Sequence, residues 1–223
     1  IQFKLYKAEQ GSDLRQLSDH FIDKYPKGIL LAIIENKGKM TALLRSSKNI
    51  NLDCGAMFPN KMASVTKLEG ADLGIALDGD ADRVIFSDEN GNIIHGDQII
   101  ALLAKEMKRN NELNENKVVG TFMSNLGLEI FLNDLDIFLH RTKVGDRYIL
   151  EEMIKSNSKL GGEPSGHILL TEFAKTGDGL LTAIKILSLL KKSGIKASKF
   201  LRPFKPVPQL LKNLKNIDKG VLS

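Results

Sequence analysis

Hydrophobic positions along this chain follow two different periods, and the change from one to the other divides it. Leu14, Leu17, Phe21 and Ile22 recur at helical spacing, with Ser12 and Asp13 placed to cap. Gly28-Ile29-Leu30-Leu31-Ala32-Ile33-Ile34 is an unbroken apolar run that predicts a buried strand. Asn36-Lys37-Gly38-Lys39 predicts a turn, and Met40 to Leu44 a second strand, so residues 1–48 read as a helix followed by a hairpin.

From about residue 71 strands and helices alternate. Leu73 to Leu77 is a short apolar strand that runs straight into Asp78, and Arg83 to Ser87 leaves on a second strand that Glu89-Asn90-Gly91-Asn92 turns. Asp97 is placed to cap a helix with Ile99, Ile100, Leu103 and Met107 on one face. Lys117 to Met123 predicts a strand, and Ser124 is placed to cap a helix carrying Leu128, Phe131 and Leu132. Residues 136–140 predict a strand, Asp146 starts a helix through Met153, and His167 to Thr171 predict another strand. A long amphipathic helix begins at Asp178 and ends at Gly194. Such alternation with short connections argues for an α/β layered domain on a mixed, mostly parallel sheet. Three prolines between Arg202 and Pro208 read as a linker out of it.

Composition narrows the class without choosing a function. Hydrophobic residues make up 42% and charged ones 26%, as in ordinary globular domains, and a net charge of +5 is spread among acids rather than gathered on a stripe. The nearest basic cluster, Lys191, Lys192, Lys196, Lys199 and Arg202, reads as a solvated helix end, which argues against a nucleic-acid partner. No run approaches the roughly 20 apolar residues that span a bilayer. A single cysteine, Cys54, excludes an internal disulfide and fits a reducing cytoplasm. The start at Ile1, without Met or signal-peptide architecture, reads as a fragment or a processed chain.

Chemistry concentrates in three loops. Asp78-Gly79-Asp80-Ala81-Asp82-Arg83 puts three carboxylates on a tight loop after an apolar strand, with Gly79 and Ala81 leaving room for the bend. Carboxylates so close repel unless a cation neutralises them, and oxygen-only ligands select a hard ion, magnesium or calcium. A Ca²⁺-binding EF-hand would also place an acid where Glu89 stands, but its sixth position is glycine and here is Arg83. A haloacid-dehalogenase phosphatase is the runner-up, although Asp82 stands where that family has Thr or Val. The second loop, Gly161-Gly162-Glu163-Pro164-Ser165-Gly166-His167, offers Glu163, Ser165 and His167 for paired hydrogen bonds to adjacent sugar hydroxyls. The third, Thr142-Lys143-Val144-Gly145-Asp146-Arg147, joins a strand to a helix and alone is an ordinary capped connection.

In order and spacing these loops, with Asn49 to Gly55, Ser124 to Leu128 and Thr176-Gly177-Asp178-Gly179, resemble the α-D-phosphohexomutase superfamily over residues 49–205. The Gly-Asp-Arg-Tyr form of the third loop and Asn51-Leu52-Asp53-Cys54-Gly55 are similar to its glucosamine-phosphate branch. Pro164 replaces the Gln or Met frequent in the family. The resemblance implies phosphoryl exchange between C6 and C1 of a hexosamine phosphate through a phosphoserine. It implies Mg²⁺ on Asp78, Asp80 and Asp82, electrostatic help from Arg83, and substrate contacts from Glu163, Ser165, His167, Lys143, Asp146 and Arg147.

The same resemblance exposes what is missing. No Ser-His-Asn-Pro stretch occurs, so the phosphate-carrying serine has no candidate, and no Arg-x-Ser-Gly-Thr phosphate loop follows the prolines. Residues 1–48 instead resemble, weakly, the C-terminal DHHA1-type domain of alanyl-tRNA synthetases. The expected organisation is a helix-hairpin segment of different origin at 1–48 and a partial second mutase domain at 49–95. A third domain follows at 96–202, and a linker toward a missing fourth at 203–223. Such a chain would be inactive unless complemented by further mutase domains, the competing possibility being a non-catalytic chimeric module that binds sugar phosphate or nucleic acid.

Overall fold

A computed structural model of the chain describes residues 2–8, 14–25, 28–36, 39–46 and 54–211. Strand β1 (Gln2–Ala8), helix α1 (Leu14–Lys24), β2 (Gly28–Asn36) and β3 (Lys39–Ser46) come first. The predicted helix and hairpin are there, and a strand the pattern did not predict, β1, pairs parallel to β2 to make a three-stranded sheet. The caps expected at Ser12 and Asp13 lie outside the described residues, as does the Lys37-Gly38 centre of the turn.

Helix α2 (Cys54–Leu68) follows, with Pro59 inside it, and packs on an antiparallel meander of β4 (Leu73–Leu77), β5 (Val84–Asp88) and β6 (Ile93–Ile94). Next come α3 (Gly96–Arg109), β7 (Lys117–Thr121), α4 (Leu126–Asn133), β8 (Phe138–Thr142), α5 (Asp146–Lys155), β9 (Leu160–Gly162), β10 (Ile168–Leu170), α6 (Gly179–Ser193) and α7 (Ala197–Phe200). They build a four-stranded sheet in the order β10-β9-β7-β8, in which β7 runs parallel to β8 and β9, and β10 antiparallel to β9. The architecture is the mixed α/β layering that the alternation predicted. Strand β9 is new, because its Leu-Gly-Gly sequence carries no strand signal and it forms by pairing with β7 at Val119.

Two expected caps move by one position or more. His95, not Asp97, precedes α3, and the Asp97 carboxylate accepts the Asn125 N–H at 2.7 Å instead. Asn125, not Ser124, caps α4 by accepting the Gly127 N–H, while the Ser124 hydroxyl accepts from Thr121. Asp178 caps α6 as expected, accepting the Leu181 N–H at 2.8 Å, and Gly194 ends it.

One buried cluster runs from Val84 and Phe86 through Ile99, Ile100, Leu128, Leu132 and Ile168 to Ile186 and Leu201. The meander and the four-stranded sheet therefore share a core, and truncating one of its large side chains costs about 2–5 kcal/mol. Two polar ties reinforce the junction. The fully buried Asp88 carboxylate accepts from Arg202 at 2.7 Å, and Glu89 accepts from the Ser198 N–H at 2.9 Å. The proline-rich exit lies along the domain: the Asn125 side-chain amide both donates to the Val207 carbonyl and accepts its N–H, and Gln98 donates to the Phe204 carbonyl.

Candidate functional site

The acidic loop is the turn between β4 and β5. The Asp78 carbonyl accepts the Ala81 N–H at 3.2 Å, and its carboxylate accepts the Arg83 N–H at 3.2 Å. Ala81 takes the left-handed conformation, φ 60°, that the bend requires, and Gly79 does not. Asp78, Asp80 and Asp82 each bring a carboxylate oxygen within 4.8 Å of the others. A strand-turn-strand carries this loop, unlike an EF-hand, and Glu89 turns away to Ser198.

Asp82 is the electrostatic centre of the group. Its carboxyl is pushed up to about 6 by burial first, then by a hydrogen bond and charge from Asp78 and by the charge of Asp80, against the opposing pull of His167. One of its oxygens, Oδ1, is buried with no hydrogen-bond partner. A hard cation fits these residues, since it would coordinate the orphaned oxygen and relieve the repulsion together. Arg83 lies beside the cluster, its Nε 3.9 Å from Asp78 and 4.0 Å from Asp82, with its side chain half exposed.

The glycine-rich loop between β9 and β10 reaches the same place. The Glu163 N–H donates to the His167 carbonyl at 2.9 Å and the Gly166 N–H to the Glu163 carbonyl at 3.1 Å, closing the loop on itself. The Val84 N–H donates to the Gly166 carbonyl at 3.1 Å, and Arg83 and His167 form a bridge, so the two loops leave their sheets side by side. Gly166 has φ 91°, and a Cβ there would stand 2.2 Å from the Val84 carbonyl oxygen, so no side chain fits.

His167 is 1% exposed and faces inward. Its Nδ1 lies 3.1 Å from Asp82 Oδ2, and its Nε2 3.5 Å from Asp146 Oδ1. Glu163 is buried beside it. One carboxylate oxygen accepts the Gly145 N–H and the other the Ser165 hydroxyl, both at 3.0 Å. Of the third loop, Asp146 therefore joins the cluster through His167. Lys143 stands over the Tyr148 ring at 5.8 Å, and Arg147 pairs with Glu151 at 2.6 Å on the outer face of α5.

The structure thus gathers Asp78, Asp80, Asp82, Arg83, Asp146, Glu163, Ser165 and His167, and leaves Lys143 and Arg147 paired outside the cluster. The contact between Asp82 and His167 joins residues 85 apart and left no local sign in the sequence. The same holds for Asp97, which is buried, pushed up to about 6 by that burial, and linked to Asn125.

Comparison with known proteins gives this geometry a context. Residues 95–207 match the model of the α/β/α domain III of phosphoglucomutase/phosphomannomutase. The chain is 51% identical over 167 residues to a phosphoglucosamine mutase of Rhizobium johnstonii, a match covering 75% of this chain and 37% of that protein. Among solved structures it is similar to a putative phosphomannomutase of Thermus thermophilus, with a TM-score of 0.56 and 27% identity over 62% of this chain and 32% of that one. A phosphoglucomutase/phosphomannomutase family protein of Burkholderia thailandensis shares the fold, with a TM-score of 0.59 at 20% identity, over 86% of this chain and 40% of that one. The chain therefore spans little more than a third of the length of the curated relatives it matches.

Proposed function

This chain belongs to the phosphoglucomutase/phosphomannomutase family, and from that premise we propose that it carries the metal-binding and sugar-binding loops for phosphoryl exchange between C6 and C1 of glucosamine phosphate. The observation that carries the proposal is the 3.1 Å contact between Asp82 and His167. It fixes a candidate cation site and a candidate hydroxyl-binding loop against one another, as a reaction on a sugar phosphate requires.

In this reading Asp78, Asp80 and Asp82 hold a Mg²⁺, which when bound neutralises charge on the transferring phosphoryl oxygens. Arg83 adds a second positive charge at the same edge. Glu163 keeps lone pairs beyond those used by Gly145 and Ser165 and accepts from one sugar hydroxyl, while the Ser165 oxygen, its proton given to Glu163, accepts from a neighbouring one. His167, buried between Asp82 and Asp146, orients the loop. Lys143 and Arg147 reach substrate by leaving Tyr148 and Glu151, both pairings being at exposed side chains that cost little to break.

The phosphoserine and the C-terminal phosphate loop have no candidate among the 223 residues, so in this reading the chain alone binds but does not turn over. Complementing mutase domains would supply them. In this reading residues 1–48 are of different origin from the rest; among the described residues their strands β1, β2 and β3 form a sheet of their own. No described helix is long and apolar enough to cross a membrane, and with a single cysteine this fits a cytoplasmic setting. Titration with glucosamine 6-phosphate, followed by amide shifts at Glu163, Ser165 and His167, tests the proposal. Shifts confined to these loops and lost in Glu163→Ala support it. Conversion between the 6- and 1-phosphates by the purified chain overturns the assignment of the missing nucleophile.

A further inference from the structure

Nε2 of His167 is a buried polar atom with no hydrogen-bond partner. The ring that carries it has little freedom to turn. Asp82 Oδ2 stands 3.1 Å from Nδ1, and a Cβ at Gly177 would lie 2.5 Å from Cε1 and 2.7 Å from Nδ1, so backbone closes that edge of the imidazole. What faces Nε2 is the Asp146 carboxylate, with Oδ1 at 3.5 Å. Asp146 opens α5, and the loop before it is pinned where the Gly145 N–H donates to Glu163 at 3.0 Å.

The 3.5 Å separation decides between a proton and an ion. A charged imidazole N–H closes on a carboxylate to about 2.7–2.9 Å, so the pair stands too far apart for that bond. Two ligands on one tetrahedral zinc ion, with bonds of about 2.0–2.2 Å, stand about 3.3–3.5 Å apart. The pair is spaced for an ion.

The other ring nitrogen fits the same reading. A histidine that ligates a metal through one nitrogen almost always gives the proton on the other to a carboxylate, a carbonyl or water, which fixes the tautomer and makes the ligating nitrogen more basic. Asp82 is placed to take that proton, leaving the Nε2 lone pair directed at Asp146. Asp82, Asp146 and His167 bring ligand atoms within 4.8 Å of one another, as the three acids of the β4-β5 turn do, but this group contains a nitrogen. Imidazole with carboxylate suits zinc and its first-row neighbours, whereas magnesium keeps to oxygen. Two carboxylates beside a neutral imidazole also balance a doubly charged ion.

We propose that His167 Nε2 and Asp146 Oδ1 bind a zinc-type divalent ion, with Asp82 holding Nδ1–H and water completing the tetrahedron. This place is distinct from the all-oxygen site of Asp78, Asp80 and Asp82. Asp82 serves it through Oδ2, and its orphaned Oδ1 stays available to the acidic turn. The ion would tie the start of α5 to the glycine-rich loop. The competing place for zinc is the pair of His140 and Glu152, 3.3 Å apart with the histidine side chain 41% exposed. The inference uses the imidazole of the glycine-rich loop but does not rest on the sugar chemistry assigned to that loop.

Zinc chloride titrated into the chelator-stripped full chain, followed by the imidazole ¹⁵N resonances, tests this. A single equivalent should move the His167 Nε2 resonance and raise the melting temperature. Asp146→Asn, at a half-exposed side chain, should weaken zinc by about tenfold or more and leave Mg²⁺ affinity within about threefold, and Asp80→Asn should do the reverse. Excess Mg²⁺ should not displace the zinc. Undiminished zinc binding by Asp146→Asn, displacement by Mg²⁺, or a shift confined to His95 or His140 would overturn the proposal. Absence of zinc binding by a parent chain that still binds Mg²⁺ would overturn it too, and would leave the proposed function standing.

Discussion

Nδ1 of His167 and Oδ2 of Asp82 lie 3.1 Å apart although 85 residues separate them in sequence. Through this contact the acidic turn of the β4-β5 hairpin and the glycine-rich loop between β9 and β10 form one site. The imidazole is buried, so the carboxylate it meets is screened from water on that side, and the remaining acids face it from the other.

Mg²⁺ should bind the chain through Asp78, Asp80 and Asp82, and Asp80→Asn should weaken binding by about tenfold or more, which is about 1.4 kcal/mol. Removing one anionic ligand removes a large share of the attraction. Calorimetry on the two proteins checks this, and equal affinities would remove the carboxylates from the metal site.

Without metal, stability falls as pH rises from about 4 to about 6. The Asp82 and Asp97 carboxyls both sit at about 6 in the fold, above the ordinary 3.8, so the folded chain holds more protons than the unfolded one in that window. Asp88 works in the opposite direction. Burial raises its pKa, but Asn92 and Arg202 outweigh that and hold it below 3.8, so its contribution is lost only at lower pH. Urea midpoints in chelator at pH 4.5 and 6.5 should differ less in Asp97→Asn than in the parent. An equal difference would show that Asp97 does not titrate in this range.

Gly166→Ala should destabilise the chain by at least about 2 kcal/mol, combining a left-handed backbone with a collision against the Val84 carbonyl. Thermal melting measures it. Unchanged melting would mean that the glycine-rich loop does not need to lie against β5.

Arg202→Ala leaves the buried Asp88 carboxylate with its hydrogen bonds from Asn90 and Asn92 but no counter-charge. Because Arg202 is about one-third exposed, water offsets part of the loss, and a cost of about 2 kcal/mol is expected. In a chain of this size that lowers the melting temperature by about 4–8 °C. A shift under 1 °C would make the tie between β5 and the exit segment dispensable.

Local periodicity was enough to place β4 against Asp78, to start α6 at Asp178, and to stop it at Gly194, because each depends on residues a few positions apart. The three carboxylates likewise lie in one turn, so their mutual repulsion is written in six consecutive residues. Strand β9 was not legible, since Leu160-Gly161-Gly162 becomes a strand only by pairing with β7 and β10. Helix α2 was hidden by Pro59 within it. Asp97 and Ser124 are polar residues near helix starts, and the sequence marks them as caps. Folding gives the Asp97 carboxylate to an amide on another helix and the cap of α4 to Asn125. The burial of His167 between Asp82 and Asp146 likewise belongs to the tertiary structure alone. Hydrogen bonds and exposure at those positions are set by segments far away in the chain, which only packing brings within reach.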